Sequence, residues 1–534
     1  MRNKQLFLSL LILLLSALRV EAAAYTVKAG GGGNYTTIQA CAAAAVAGDT
    51  CTIFAGSYNE TVTPANNGTA GNPITFNTNA TDAVTVTKWS LSSGSTYLII
   101  EGSAKTHMQV PQGITWADHI THNIFQYVDT TGGACWGGSG WYSSMTPTSF
   151  NQFLNFTVNG CGGTPAGPAL EFEGDHNIVD GMVCQYAQAC VTYSGKFNII
   201  RNSIFGPTSA AVLGGQHSQP IENSVSCPAS GMTDVPGGSQ HTLIENNYSA
   251  QWRGLNSHAL LLMTDTSPTF GCGSTQNVIR FNAGMESGSY SIQSQGSQQN
   301  YYYNNSWSNT QQDNPPKDLE DFTFDPNAPN VRAINNIFSN TTRPATSDWC
   351  IYADATPVEH HNLCFMTGYS GSWNGPTTAS SNTYDASDIF NLDPLFVIGA
   401  TNLALTKGSP AISAGGPLTT AVGAGIASTS LTVADAGFFI ANSGMPGPNY
   451  SADWIRIGLT TIVQIASINY STNVITLASP AIWVSGTPIY LYKNSNGTVV
   501  INGVNPDIGA LPSGLAITSQ PTPLPPTNVK AIAQ

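Results

Sequence analysis

Asparagine returns at the end of short apolar runs along this chain, and that recurrence restricts the possible architecture more than any other feature. The runs are Ile199-Ile200-Arg201-Asn202, Ile221-Glu222-Asn223, Leu243-Ile244-Glu245-Asn246, Val278-Ile279-Arg280-Phe281-Asn282, Tyr301-Tyr302-Tyr303-Asn304-Asn305 and Val331-Arg332-Ala333-Ile334-Asn335-Asn336. Leu98-Ile99-Ile100-Glu101-Gly102 and Ile178-Val179-Asp180-Gly181 fit with Gly in the Asn place. The intervals run from the low twenties to the mid thirties, with one short strand in each. Such a period marks a solenoid, whose units bury their apolar faces only by stacking on their neighbours. Asn tolerates the left-handed backbone that a sharp corner between strands demands, and Gly does so at no steric cost. Coils stacked about 4.8 Å apart also let Asn side chains hydrogen-bond along the stack.

Residues 1–24 read as an export signal, with Arg2 and Lys4, the apolar stretch Leu6 to Leu18 and the small residues Ala22-Ala23-Ala24. That stretch is too short for a permanent membrane span, and no other stretch qualifies. The mature chain is therefore expected to be secreted, periplasmic or on the cell surface. Ten cysteines, an even number, suit an oxidising compartment. Their spacing fits local bridges Cys41–Cys51, Cys184–Cys190 and Cys350–Cys364, with Cys135–Cys161 and Cys227–Cys272 across loops, and leaves the connectivity open. Charged residues make up only 9% of the chain and the net charge is −13, which argues against a nucleic-acid partner, since that needs a basic face.

After the first strand comes an Ala-rich stretch, Cys41 to Ala47, that suits a short helix capped by Thr36 or Thr37 and closing the open end of the solenoid. Period-two runs between Ala421 and Lys493 suggest a small antiparallel β module. That module is expected to cover the C-terminal end of the solenoid, with binding of a ligand or cell surface as the alternative. The tail from Pro512 is Pro-rich and linker-like. These boundaries give a signal at 1–24, a solenoid at 25–420, an inserted β module at 421–494, a closing segment at 495–511 and a tail at 512–534.

Tyr35-Thr36-Thr37-Ile38-Gln39, Ala47-Gly48-Asp49-Thr50, Ala55-Gly56-Ser57-Tyr58-Asn59-Glu60 and Gly71-Asn72-Pro73-Ile74-Thr75-Phe76 resemble the N-terminal cap and first coils of the right-handed parallel β-helix, the pectin-lyase-like superfamily. Asp393-Pro394-Leu395-Phe396, Gly408-Ser409-Pro410-Ala411-Ile412 and Pro506-Asp507-Ile508-Gly509-Ala510 resemble the closing segment of bacterial members. The resemblance implies an all-β parallel β-helix that carries its ligand in a groove formed by one stacked sheet and the loops beside it. It fixes no single activity, since lyases, hydrolases, esterases, epimerases and non-enzymes share the fold. Lyases of this type set a Lys and an Arg on neighbouring coils, with calcium in many cases. This chain has Gln in the comparable run, Ser291-Ile292-Gln293-Ser294-Gln295.

The longer coils suggest where loops rise. Trp136, Trp141, Tyr142 and Trp252 offer flat apolar faces for sugar rings, or else stack inside the coils. Arg253 with His258, then Asp265, Glu286, Lys317 and Asp318, supply the acid, base and cation that glycan cleavage needs. Asp313, Glu320 and Asp321 crowd enough oxygens into one loop to hold Ca²⁺, the only cofactor suggested. The expected function is a carbohydrate-active protein that binds an extended polysaccharide and cleaves it by hydrolysis or β-elimination. The alternative is a non-catalytic surface or adhesion protein.

Overall fold

The computed structural model describes residues 22–117, 119–131, 133–138, 148–161, 168–207, 219–223, 239–252, 258–264, 274–288, 291–295, 299–309, 322–324, 331–340, 350–353, 357–369, 383–398, 402–441 and 450–513. Within these the chain winds as a right-handed parallel β-helix. From residue 168 onward each full coil contributes to three sheets. The first sheet takes Pro168–Glu173, Ala189–Lys196, Gln219–Asn223, Leu261–Thr264, Ile292–Gln295, Phe322–Phe324 and Ile351–Ala353 in succession. The second stacks residues 178–180, 199–201, 243–245, 278–280, 301–303, 332–334 and 358–360. The third stacks 182–185, 204–205, 248–250, 283–285, 306–308, 337–340 and 363–366.

Alternation along each strand sends one set of side chains inward. Val179, Ile200, Ile244, Ile279, Tyr302 and Ala333 form one buried column, each in register with the next. Ile221-Glu222-Asn223 is not a copy of this element, as its pattern suggested. It lies in the first sheet, so residues 199 and 243 belong to successive coils. Apolar–polar alternation is the same on any strand of a coil, and the sequence alone does not say which of the three sheets receives it.

Corners follow the expected chemistry with a division of labour. Between the second and third sheets, Asn202, Asn246, Phe281, Asn304, Asn335 and His361 take left-handed backbone angles, as does Gly181 one coil earlier. The residue after each corner points inward. Asn247, Asn282, Asn305, Asn336 and Asn362 each donate from Nδ2 to the next Oδ1 in line, at 3.0–3.3 Å, and Asp388 accepts the last bond. A second ladder, Asn123–Asn151–Asn177–Asn198, runs at the corner between the first and second sheets. Just outside it Tyr97, His122, Phe150, His176, Phe197 and His241, all left-handed, stack ring on ring at 4.7–5.1 Å, close to the interstrand spacing.

The capping helix spans Ile38–Ala44. Thr37 Oγ1 accepts from Ala40 N, and the Glu60 carboxylate accepts from the amides of Ile38 and Gln39. Carboxylates suit such a terminus, where amides lack helical partners. Ala23 and Ala24 already pair with Asp49 and Thr50, so the first coil takes in the end of the segment read as signal. Cys41–Cys51, Cys135–Cys161, Cys184–Cys190 and Cys350–Cys364 are bonded as their spacing suggested. Cys227 and Cys272 lie outside the described residues.

Thr419–Thr420, Gly425–Thr432, Trp454–Ile457, Thr461–Asn469, Val474–Trp483 and Pro488–Lys493 form the six-stranded antiparallel module. A bridge from Ala421 to Val433 closes it into a small barrel. The barrel does not cover the end of the solenoid, as expected, but its flank. Ile178, Ile199, Leu243, Val278, Tyr301 and Ile334 on the outer face of the second sheet pack with Phe438, Phe439, Ile440 and Tyr450. That outer row is long and apolar, and burying it on the barrel is the larger gain. The third sheet is covered in turn, with Leu403 and Ala510 packed near Ala283 and Met285, and Ile508 near Ile337 and Leu363.

Candidate functional site

With two faces covered, the outer face of the first sheet is the one on which no C-terminal segment packs among the described residues. One register row runs along it: Ser90, Thr115, Gly137, Glu171, Thr192, Glu222, Leu262, Gln293, Thr323 and Tyr352. The row holds two carboxylates and no Lys or Arg. Gly137 leaves the rung beside Glu171 without a side chain, and a Cβ added there would lie 3.4 Å from the Glu171 Cβ. A parallel row carries Glu173 and, in register with it, Ser194.

Alternation in Leu170-Glu171-Phe172-Glu173 sets this geometry. Leu170 and Phe172 enter the core while both carboxylates face out. Burial pushes the Glu171 carboxyl up to about 7, and the neighbouring Glu173 and Glu222 charges add to the rise. Burial also raises Glu173 and Glu222; Gln219 Nε2, 2.7 Å from Glu222 Oε2, opposes the rise at Glu222. Glu173 Oε2, Ser194 Oγ and Gln219 Oε1 are buried with no hydrogen-bond partner, although Ser194 and Gln219 are only 4% and 1% exposed. Buried polar atoms are ordinarily satisfied, so this group stands ready for a polar ligand. Carboxyls side by side whose surroundings differ, Glu222 accepting from Gln219 and Glu171 raised by burial and by its acidic neighbours, are candidates for an acid–base arrangement.

The expected site residues fare unevenly. Arg253, Asp265, Lys317 and Asp318, with Trp141, Tyr142 and the calcium candidates Asp313, Glu320 and Asp321, lie outside the described residues. Among the described residues no group of three His, Cys, Asp or Glu is placed to hold a metal. His258 is buried at 1% exposure, two residues before Leu260, whose amide bonds to Ser291 O on the next coil. Glu286 occupies a left-handed corner after the third sheet, so the two belong to neighbouring coils. Trp136 and Trp252 are corrected as sugar platforms: they are 1% and 0% exposed, with Trp136 stacked on Phe156 at 4.8 Å and donating to Thr130. An enclosed ring presents no face to a ligand. The apolar gain of burying so large a side chain decides its place.

Sequence reasoning passed over Glu171, Glu173 and Glu222. A signal was present: Glu-x-Glu at period two inside an apolar strand, in a chain only 9% charged.

No protein-family model matches the chain, and no curated protein matches its sequence. Solved structures similar to it include an alginate lyase from Paenibacillus sp. str. FPU-7, 12% identical over 69% of this chain and 99% of that one, with TM-score 0.39. A mannuronic acid specific polysaccharide family 6 lyase from human gut microbiota is 13% identical over 70% of this chain and 83% of that one, with TM-score 0.37. A pectate lyase is 12% identical over 74% and 91%, with TM-score 0.32.

Proposed function

We propose that this protein binds an extended polysaccharide along the outer face of the first sheet and cleaves it, outside the cytoplasm. The observation that carries the reading is the row from Ser90 to Glu222, on which no C-terminal segment packs among the described residues, with hydroxyl and carboxyl side chains at Ser90, Thr115, Glu171, Thr192 and Glu222 and unsatisfied buried polar atoms beside it. A linear glycan presents hydroxyls at regular intervals, and a row of stacked rungs meets them at intervals of about 4.8 Å. The four disulfides support an oxidising compartment. No helix among the described residues is long and apolar enough to cross a membrane.

Affinity electrophoresis of the purified chain through gels holding neutral or uronic polysaccharides tests binding, and release of reducing ends tests cleavage. Retardation by at least one glycan with loss of retardation on Glu171→Lys is the expected result; free migration through every gel rules the reading out. A second reading, a non-catalytic surface protein, is favoured by one observation. Val422, Ile426, Leu459, Ile482 and Val484 are all exposed on connected segments of the barrel, and Ile426 is 85% exposed. Retardation without any reducing-end release selects it.

A further inference from the structure

The two carboxylates of the open row are spaced in a way that constrains the reaction. Glu171 and Glu222 stand in register on either side of Thr192, two rungs apart. Two interstrand steps put their backbones about 9–10 Å apart. Glycosidases that form a covalent intermediate need carboxyls about 5 Å apart, whereas those that invert leave about 6.5–9.5 Å for a water. The environments of the two also differ. Glu222 is held by Gln219 as a hydrogen-bond acceptor, while Glu171 has the empty Gly137 rung on one side. A second, separate observation points to a ligand: the Ser194 hydroxyl, on a residue 4% exposed, faces the same side as Glu173 and has no partner, and neither has Gln219 Oε1.

We propose that this face hydrolyses an uncharged glycan with inversion at the anomeric carbon, Glu171 acting as general acid and Glu222 as general base. The inference rests on the polysaccharide reading above and narrows it. The Glu171 carboxyl proton passes to the glycosidic oxygen as its bond to C1 breaks. Water attacks C1 from the opposite side and gives its proton to Glu222. The products are a hemiacetal of inverted configuration and a free alcohol; Glu171 is left ionised and Glu222 protonated, and exchange with solvent resets both. Glu173, Ser194 and Gln219 meet sugar hydroxyls. A uronate is disfavoured on this face. Its carboxylate would enter beside three Glu side chains with no Lys or Arg in the row, and elimination needs a cation to neutralise the developing charge. The raised Glu171 carboxyl keeps its proton up to about pH 7, where a general acid has to hold one.

The full chain is incubated with a panel of neutral and uronic polysaccharides, the anomer first released is read by proton NMR, and unsaturated uronate by ultraviolet absorbance. Expected are cleavage of a neutral glycan with inverted product, an alkaline limb near pH 7, and losses of about 10²–10⁴-fold in kcat/KM for Glu171→Gln and Glu222→Gln. Both variants should melt no lower than the parent and keep their glycan affinity. A retained anomer, an unsaturated uronate product, or both variants within about ten-fold of the parent overturns the assignment. Glycan binding without cleavage of any neutral member overturns this inference alone, and absence of all glycan binding overturns the polysaccharide reading with it.

Discussion

The outer faces of the first and second sheets are built from the same parallel rungs, yet they handle buried charge in opposite ways. On the second sheet Asp180, Arg201, Glu245 and Arg280 follow one another in register with alternating sign. Arg201 pairs with Asp180 at 2.8 Å, and Arg280 with Glu245 at 2.6 Å. The barrel then closes over them. Asp453 takes a bidentate pair from Arg280 at 2.8 Å for each bond, Ser495 links Arg201 to Glu245, and Tyr303 both accepts from Arg280 and donates to Phe438 O. Burial alone pulls the Arg280 guanidinium down, but Asp453 and Glu245 outweigh it and hold it firmly charged. On the first sheet the carboxylates have no such cation in their row and rise instead. Paired buried charge belongs to architecture; buried carboxylates with no cation in their row are the candidates for chemistry.

The contrast is easiest to break at Arg280. Arg280→Met leaves Glu245 and Asp453 buried without their cation and should cost about 3–5 kcal/mol in chemical denaturation. Replacing Arg280, Glu245 and Asp453 together by Met, Leu and Leu should recover most of that loss, because a well-packed apolar set avoids desolvating charge. If the single and triple variants are equally destabilised, packing and not charge holds the interface. Asn305→Ala removes one rung of the inner ladder and strands the Asn282 backbone amide, which donates to Asn305 Oδ1, while Asn282 Nδ2 keeps Ile244 O and Arg280 O. A loss of about 1–3 kcal/mol for that stranded group is expected, measured by the same denaturation.

On the open face the sign reverses. A carboxyl whose folded pKa is raised is favourable only while protonated, so its cost grows as pH rises from about 4.5 through about 7. Glu171→Gln should therefore leave stability unchanged at pH 4 and raise it by about 1–2 kcal/mol at pH 8, after allowance for solvent screening. A variant less stable than the parent at pH 8 would place Glu171 with the structural charges. The smallest effect belongs to His241, stacked between Phe197 and Tyr470 of the barrel at 5.1 and 4.1 Å. Burial, with Lys196 adding, lowers it to about 4, so its contribution is present above pH 6.5 and is lost as pH falls towards 4. His241→Phe keeps the stack and should flatten that acid slope in melts run from pH 7 to 4.

Much of the winding was readable. Ile-Ile-x-Asn runs, Gly181 in an Asn place and the Thr37 cap all express requirements met within a few residues, and the structure meets them at those residues. The Asn pairs carried more than they disclosed: Asn304 turns the corner while Asn305 builds the ladder, and both look alike in a list of letters. Trp136 and Trp252 were ambiguous because a large aromatic suits a core and a sugar equally. Glu171 and Glu222 were visible as letters but not as a pair, since their register depends on how many residues each intervening coil spends.

The sequence by itself determined that this chain stacks, where most of its corners fall and that a separate antiparallel module follows. These depend on local backbone freedom and on alternation that repeats in every coil. Only the tertiary structure decided which faces are covered. Arg280 meets Asp453 across 173 residues, and nothing near either side chain distinguishes it from a charge that solvent would keep. Whether a charged rung becomes scaffold or site depends on what packs over it, and packing is a property of the whole chain.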